Sequence, residues 1–189
     1  KKHNLMVIAP AHHRRIQAGI LSWGQDLDHE HNPFQCNLGY QVSLSGKGEW
    51  EKKGDYIGKQ ALEKMKADLK DGHKPYKLQL VGFEIGGKPI DEYAPDFWLV
   101  SPGDGGDPCG FITSPWYHPE KGKNIAMGYI PFDGTLNPNG FPKWELGKKF
   151  KVHLPDIYAD EPGVPVDAVT VDVPFTESFN ANTREVVKG

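Results

Sequence analysis

The histidines near the N-terminus are the first residues that suggest chemistry, because imidazole is a common metal ligand. His12 and His13 precede a His29-Glu30-His31 triplet. Two histidines separated by one residue point apart on an extended strand, and no matching cysteine or carboxylate pattern follows. We therefore predict no metal site.

Two further motifs are better explained as turns. Asp26-Leu27-Asp28 is similar to the Asp-x-Asp of sugar-nucleotide enzymes, but aspartate commonly closes a turn by bonding to its own loop backbone. The glycine-rich stretch 103–106 lacks the Lys-Ser/Thr pair and the following helix of a phosphate-binding loop. We predict a hydrogen-bonded loop at the first motif and a hairpin turn at the second.

Aromatic side chains offer better candidates for a binding surface. An indole face such as that of Trp23 can pack on a flat ring. Trp116, Tyr117 and His118 follow a Thr-Ser pair, and we predict that they lie on a loop. Aromatic residues on a loop of a rigid scaffold are a plausible binding site. Two structural alternatives remain: Trp23 as a core residue, and the three later residues as packing against a neighbouring domain.

The elements that would position these residues change in character near residue 75. Before it, polar and helix-forming stretches alternate with one short strand-like run. The predicted elements are a helix from Ala11 to about Leu21, a loop from Gln25 to Phe34, a strand from Leu38 to Leu44, and a helix from about Tyr56 to Lys70 capped by Asp55.

After residue 75, short apolar runs are separated by turns rich in glycine, proline and aspartate. They predict six strands, at 76–85, 97–101, 109–113, 125–130, 149–154 and 164–173. Six short strands with almost no helical pattern predict a small antiparallel barrel or sandwich. The polar tail after Phe175 is expected to be loosely held.

Bulk composition excludes several classes of protein. The chain has 189 residues, 38% hydrophobic and 25% charged, with a net charge of −3. No apolar run approaches the roughly 20 residues that span a bilayer. A mildly acidic chain lacks the basic footprint of a nucleic-acid partner. We expect a cytoplasmic protein with neither a nucleic-acid nor a membrane partner, in which Cys36 and Cys109 are reduced thiols.

Taken in order, the motifs resemble the later half of the aminomethyltransferase (glycine-cleavage T-protein) family. Residues 14–44 contain Arg-Ile, Gly, Leu-Ser-Trp-Gly, Asp-x-Asp, Asn-Pro-Phe and Cys, followed by DYIGKQAL. Residues 110–119 carry the Gly-x-x-Thr-Ser motif, and 125–131 read Ile-Ala-Met-Gly-Tyr-Ile-Pro. Residues 164–175 match the closing Pro-x-x-Ala-x-Val pattern ending in Pro-Phe. The first stretch is most similar to the dimethylsulfoniopropionate demethylase-like, tetrahydrofolate-dependent methyltransferases.

The resemblance implies an α+β fold: a short α/β segment followed by a six-stranded antiparallel β-barrel, together the C-terminal half of a T-protein-like fold. It divides the chain into a folate-binding region with two helices at 1–75, the barrel at 76–175 and a polar tail at 176–189. The family's catalytic residues lie mainly in the earlier half, so we name none here. The missing N-terminal half becomes an expected partner, and this chain alone is expected to be inactive.

The resemblance also implies tetrahydrofolate as cofactor. Arg15 aligns with the arginine of the family's Arg-Leu-Glu-Ala-Gly run, where a planar guanidinium suits the glutamate tail of folate; a surface arginine on a helix is the alternative. Gln17 replaces the family's glutamate, and Ala11 replaces an arginine that many members carry. Arg14 is a candidate to compensate for that lost arginine. The cofactor-binding candidates are Arg15, Gln17, Trp23, Trp116, Tyr117 and His118.

The implied function is tetrahydrofolate-dependent demethylation of a small methyl donor, with dimethylsulfoniopropionate or a methyl ether as the substrate. Aminomethyl transfer in glycine cleavage is an alternative, as is a non-catalytic folate-binding or scaffold domain. Relatives in iron–sulfur cluster assembly carry a Lys-Gly-Cys-aromatic motif. Cys36 and Cys109 lie in other contexts, Phe-Gln-Cys-Asn and Asp-Pro-Cys-Gly.

Overall fold

A computed structural model describes residues 11–42, 44 and 56–175. These described residues form two short α-helices, one 3₁₀ turn and six strands. The elements are α1 (His12–Gln17), the 3₁₀ turn (Gly39–Gln41), α2 (Lys59–Lys70), β1 (Leu78–Ile85), β2 (Trp98–Pro102), β3 (Gly110–His118), β4 (Lys123–Pro131), β5 (Lys149–Val152) and β6 (Val166–Val171). All six predicted strands are present.

The six strands form a closed barrel in the order β1-β4-β3-β2-β5-β6. Every neighbouring pair is antiparallel. β1 completes the barrel because it pairs on one edge with β4 and on the other with β6: Phe83 lies opposite both Ala126 and Thr170. The predicted fold class is confirmed. The glycine-rich stretch 103–106 connects the antiparallel strands β2 and β3, as predicted for a hairpin turn.

The barrel has apolar contacts on both its inner and its outer surface. Its main core includes Val81, Phe83 and Ile112, all fully buried. On β4, every residue from Asn124 to Ile130 is buried, so both faces of this strand are covered. The outer face is covered by a smaller apolar cluster. In it, Ile16 of α1 packs against Leu80, Ile125, Met127 and Tyr129. The N-terminal segment, residues 11–42, therefore packs on the outside of β1 and β4.

Helix α2 packs at a third apolar cluster. Leu69 is buried there with Phe34 and Phe132, and Leu62 and Met65 pack beside them. These helix residues lie at spacings of three and four, which places them on one face. The predicted start of this helix at Tyr56 is wrong, because Gly58 adopts a left-handed φ of 89° as N-cap. The predicted cap, Asp55, lies outside the described residues.

Two further predictions are corrected near the start of the chain. The first helix ends at Gln17 rather than near Leu21, because Gly19 turns the backbone with a φ of 67°. The predicted strand from Leu38 to Leu44 is wrong within the described residues, which form a 3₁₀ turn at 39–41. The left-handed φ of 61° at Asn37 redirects the chain before a strand can begin.

Trp116, Tyr117 and His118 lie in β3 and not on a loop, which corrects a fourth prediction. Their backbone pairs with β4, and the last pair in the register is His118 opposite Lys123. The division of the chain near residue 75 remains a prediction, and the tail at 176–189 lies outside the described residues. In the part of the chain that the structure describes, no helix has both the length and the apolar character to cross a membrane.

Candidate functional site

A β-bulge in β3 creates the centre of the candidate site. Ile112 pairs with Gly128 and Ser114 pairs with the next residue, Met127, so Thr113 is the extra residue. Neighbouring residues on a regular strand point to opposite faces, and a bulge re-aims one of them. Here both hydroxyls reach the same carboxylate: the Oγ1 of Thr113 and the Oγ of Ser114 lie 2.6 Å and 2.5 Å from Asp26 Oδ1.

The second oxygen of Asp26 binds the N-terminal segment. Arg15 Nη1 lies 2.6 Å from Asp26 Oδ2, and the Ser22 amide donates to the same oxygen over 2.8 Å. The side chain of Asp26 is fully buried, whereas that of Arg15 retains 16% exposure. A buried carboxylate is stable only when it is paired and hydrogen-bonded. Asp26 meets both conditions, which fixes the 20–28 loop against the barrel.

All five donors of the Arg15 guanidinium have partners inside the chain. Nη1 also donates to the Ile20 carbonyl at 3.1 Å, and Nη2 donates to Gln25 Oε1 at 3.1 Å and Ser114 Oγ at 2.8 Å. Nε donates to a ring nitrogen of His12 at 3.3 Å. A ligand carboxylate would have to displace these bonds. The geometry thus gives Arg15 a positioning role.

Tyr129 extends this network to the following loop. Its hydroxyl donates to the Asp26 backbone carbonyl at 2.6 Å and lies 3.4 Å from Cys36 Sγ. Burial is the main cause that raises the pKa of Tyr129 far above its ordinary value, and the hydrogen bond with Cys36 raises it further. Burial likewise raises the pKa of the Cys36 thiol. Both groups stay neutral near pH 7, so neither is an activated nucleophile.

Aromatic rings surround the outer side of Arg15. The His12 ring meets Tyr93 edge-on at 5.0 Å and Trp116 at 5.6 Å between centroids. Trp116 is half-buried, and 57% of Tyr93 is exposed. Burial lowers the pKa of His12, and the nearby Arg15 charge lowers it further. A neutral imidazole therefore lies between two aromatic rings, with a cation behind it.

Trp23 occupies the same loop as Asp26 but points away from the core. It is 67% exposed, and its ring lies 6.3 Å from that of His29. The alternative of a core tryptophan is therefore wrong for this chain. An exposed indole on a loop that is fixed by a buried ion pair is suited to contact a ligand or another domain.

The other three sequence candidates are not brought to Arg15 by any contact among the described residues. Gln17 ends α1, and its carbonyl accepts the Phe175 amide at 2.9 Å. The Tyr117 amide donates to the Ile90 carbonyl at 2.7 Å. His118 is buried, and neither ring nitrogen has a hydrogen-bond partner in the described part of the chain.

Sequence reasoning assigned Asp26 only to its own loop. The bond from the Ser22 amide confirms that part, but the contacts of Asp26 with Thr113 and Ser114 were missed. The signal was present, because the Asp-x-Asp and Thr-Ser motifs were both recognised as parts of one ordered pattern. Nothing in their spacing shows that they meet.

Asp28 behaves as the predicted turn aspartate. Its Oδ1 accepts the Glu30 amide and contacts the His31 ring, both at 2.8 Å. The Glu30 amide, and next the His31 contact, lower the pKa of Asp28. Across residues 11–42, 44 and 56–175, no group of three or more His, Cys, Asp or Glu side chains is arranged to hold a metal ion.

Comparisons with known proteins place this geometry in context. No family model matches the chain. An aminomethyltransferase of Synechocystis sp. is 32% identical over 117 residues, which cover 62% of this chain and 27% of that protein. Another, of Thermosynechococcus vestitus, is 29% identical over 162 residues, covering 85% of this chain and 35% of that protein. The chain spans about a third of the length of these curated relatives.

A solved structure shows a similar fold. The crystal structure of the glycine cleavage system aminomethyltransferase T from Bartonella henselae matches 86% of this chain and 37% of its own, with a TM-score of 0.58 and 20% identity. At that identity the likeness shows the fold alone. The sequence relatives support the aminomethyltransferase (glycine-cleavage T-protein) family, and they do not distinguish its dimethylsulfoniopropionate demethylase-like members.

Proposed function

We propose that the chain is part of a tetrahydrofolate-dependent one-carbon transferase. The observation that carries this proposal is the continuous similarity to an aminomethyltransferase over 162 residues, 85% of the chain. The similarity spans both the N-terminal segment and the barrel, which the Asp26 network joins. When bound, tetrahydrofolate supplies the nitrogen that accepts the one-carbon unit.

The described residues fit folate as one wall of a binding channel. The exposed Trp23 and the half-buried Trp116 offer faces for flat rings. Arg15 does not fit as the tail clamp, since its donors are bound internally. Arg14 is exposed and forms no ion pair with any described residue, so it is the better partner for a carboxylate.

For the one-carbon donor, we propose an aminomethyl group as the leading candidate. The relatives quoted above are all named aminomethyltransferases, and this favours the glycine-cleavage reaction. Demethylation of dimethylsulfoniopropionate or of a methyl ether is the second candidate, supported by the motif resemblance in residues 14–36. A sulfonium methyl is already activated and mainly needs positioning, whereas an amine or ether donor also needs proton transfer.

This proposal leaves catalysis to residues outside the chain. Within the buried network around Asp26, Tyr129 and Cys36 are held neutral and Asp26 is fully bonded, so none of these three residues is a free acid or base. We propose that the 189-residue chain contributes binding surface to a cytoplasmic enzyme and does not turn over alone. The missing N-terminal half of the same protein is the proposed partner.

The donor can be identified from the folate product. The whole protein that contains this sequence would be incubated with tetrahydrofolate and, separately, an aminomethylated lipoyl carrier, dimethylsulfoniopropionate or an aryl methyl ether. Mass spectrometry distinguishes methylene-tetrahydrofolate from methyl-tetrahydrofolate. We expect the methylene product from the first donor. A methyl product from either of the others would replace our leading donor by the second candidate.

The 189-residue chain serves as the matched control in this assay. We expect no product from it with any donor. Turnover by the chain alone would overturn our view that the catalytic residues lie elsewhere. If the whole protein binds folate but gives no product from any donor, the non-catalytic folate-binding or scaffold alternative replaces the transferase.

A further inference from the structure

Two adjoining cavities lie between the N-terminal segment and the later loops of the barrel. Their volumes are about 310 Å³ and 290 Å³. Three residues line both cavities: Asn37, Tyr40 and Trp144. Because their walls are shared, we treat the two cavities as one cleft. Neither cavity is lined by Arg14, Trp23 or Trp116, so the cleft is separate from the proposed folate wall.

Four aromatic residues line part of the first cavity: Phe34, Tyr40, Phe141 and Trp144. Phe34 stacks on Phe141 with centroids 6.4 Å apart and an interplanar angle of 25°. Trp144 is fixed by an Nε1–H bond of 3.0 Å to the Val171 carbonyl. Tyr40 is 72% exposed beside them. Rings presented in this way favour a flat aromatic ligand, by stacked or edge-on contact.

Gly39 leaves room for the stacked pair that lines the cavity. A Cβ on this residue would lie 2.8 Å from a ring carbon of Phe34 and 2.8 Å from one of Phe141. Any side chain there would push one or both rings out of place. The preceding Asn37 bonds through Nδ2 to the Leu80 carbonyl at 2.8 Å. The backbone of this wall is therefore fixed before a ligand arrives.

The first cavity also has one side chain of each charge. Lys143 and Asp172 both line it, and both are exposed. Neither forms an ion pair with another residue in the described ranges. Asp172 Oδ1 accepts the Val173 amide at 3.1 Å, which leaves its second oxygen available. A complementary ligand would carry an anionic and a cationic group.

We propose that this cleft binds a small aromatic zwitterion, of which an aromatic amino acid is the simplest class. The ring packs among Tyr40, Phe141 and Trp144. The carboxylate faces Lys143, and the ammonium faces Asp172. The proposal does not depend on folate, since it rests on residues outside the folate wall.

Three indole ligands test the proposal by calorimetric titration of the full 189-residue chain. L-Tryptophan carries both charges, indole-3-propionate lacks the ammonium, and tryptamine lacks the carboxylate. K143Q should weaken tryptophan and indole-3-propionate by about tenfold and leave tryptamine unchanged, because one charged hydrogen bond is lost. D172N should weaken tryptophan and tryptamine by a similar factor and leave indole-3-propionate unchanged.

Matched control variants guard against general effects of charge. Lys88 and Asp104 are exposed and do not line the cleft, so K88Q and D104N should leave all three affinities unchanged. G39A should abolish binding of every ligand by displacing the rings. Absence of saturable tryptophan binding, or an equal loss of all three ligands in K143Q and D172N, would overturn the proposal.

Discussion

The barrel and the N-terminal segment are held together by different kinds of interaction. In the barrel, every strand pairs with two neighbours, and the enclosed core is apolar. The segment has only six residues of α-helix and one 3₁₀ turn. It is fixed by Ile16 and by the buried Arg15–Asp26–Ser114 network.

This difference teaches where the molecule is sensitive to single substitutions. Backbone pairing is repeated at many positions, so the loss of one barrel side chain leaves most contacts in place. The segment depends on a few buried polar groups, and removal of one leaves its buried neighbours with a hydrogen bond unmade. Unpaired buried charges cost far more than the net value of the pair that contained them.

The largest effect is expected from Asp26→Ala. The change leaves the Arg15 guanidinium and the Thr113 and Ser114 hydroxyls without their shared acceptor. We expect the free energy of unfolding to fall by roughly 3–5 kcal/mol, as for other broken buried pairs. Urea denaturation measures the loss, and hydrogen exchange should show faster exchange at the Gly24 amide than in the barrel strands.

Asp28→Ala is the matched control for this substitution. Asp28 lies two residues away, and its side chain is 42% exposed. Its removal should cost much less than the removal of Asp26, because the contacts of an exposed charge contribute little to stability. Equal destabilisation by the two substitutions would show that Asp26 has no special role in holding the segment.

A smaller effect is expected from Ser114→Ala. The substitution removes one donor to Asp26 and one acceptor for Arg15, and should cost about 1–3 kcal/mol. In a double-mutant cycle with Asp26→Ala, the two losses should be less than additive by roughly 0.5–3 kcal/mol, as for residues in one network. Strict additivity in urea unfolding would mean that the bulge does not couple the barrel to the segment.

Ile112→Val tests the barrel side of the comparison. Ile112 is fully buried in the main core, next to the bulge. Loss of one methylene should cost about 0.5–1.5 kcal/mol. The barrel and the N-terminal segment should keep the same relative protection from hydrogen exchange, because the substitution leaves no buried polar group without its hydrogen bond. Selective opening of the N-terminal segment in this variant would contradict our division of the two regions.

The smallest effect concerns pH. The pKa of His12 lies below its ordinary 6.5 because of burial and Arg15, and only Asp26 opposes this shift. The folded state therefore binds a proton at His12 less well than the unfolded chain does. The contribution of neutral His12 to the free energy of unfolding is complete above pH 6.5, and it is lost as the pH falls through the lowered pKa of the folded state. His12→Asn should flatten the pH dependence of the free energy of unfolding below about pH 6.5. An unchanged pH dependence in the variant would show that His12 does not contribute to the pH dependence of stability.

The sequence was informative where structure follows from local pattern. Alternation and turn residues located all six strands, because side chains on a barrel strand alternate between inside and outside. The same pattern failed at Leu38–Leu44, where the left-handed Asn37 leads into a 3₁₀ turn. It also ended β3 too early, since pairing with β4 continues as far as His118.

The candidate site was predicted less completely, for a physical reason. Asp26 and Ser114 lie 88 residues apart, and only closure of the barrel beneath the segment brings them together. Neither the composition of the chain nor the spacing of its motifs predicts such a contact. The family resemblance located both motifs. It could not show that all the donors of Arg15 bond to other residues of this chain, or that Trp23 is exposed.

Tetrahydrofolate titration of the 189-residue chain, followed by tryptophan fluorescence, tests the central claim most directly. We predict saturable binding that Trp23→Ala weakens by about tenfold or more, the value of one stacked ring in a site. The thermal midpoint should not change, because Trp23 is 67% exposed. Absence of folate binding by wild-type protein, or wild-type affinity in the variant, would contradict the claim that this chain supplies part of a folate channel.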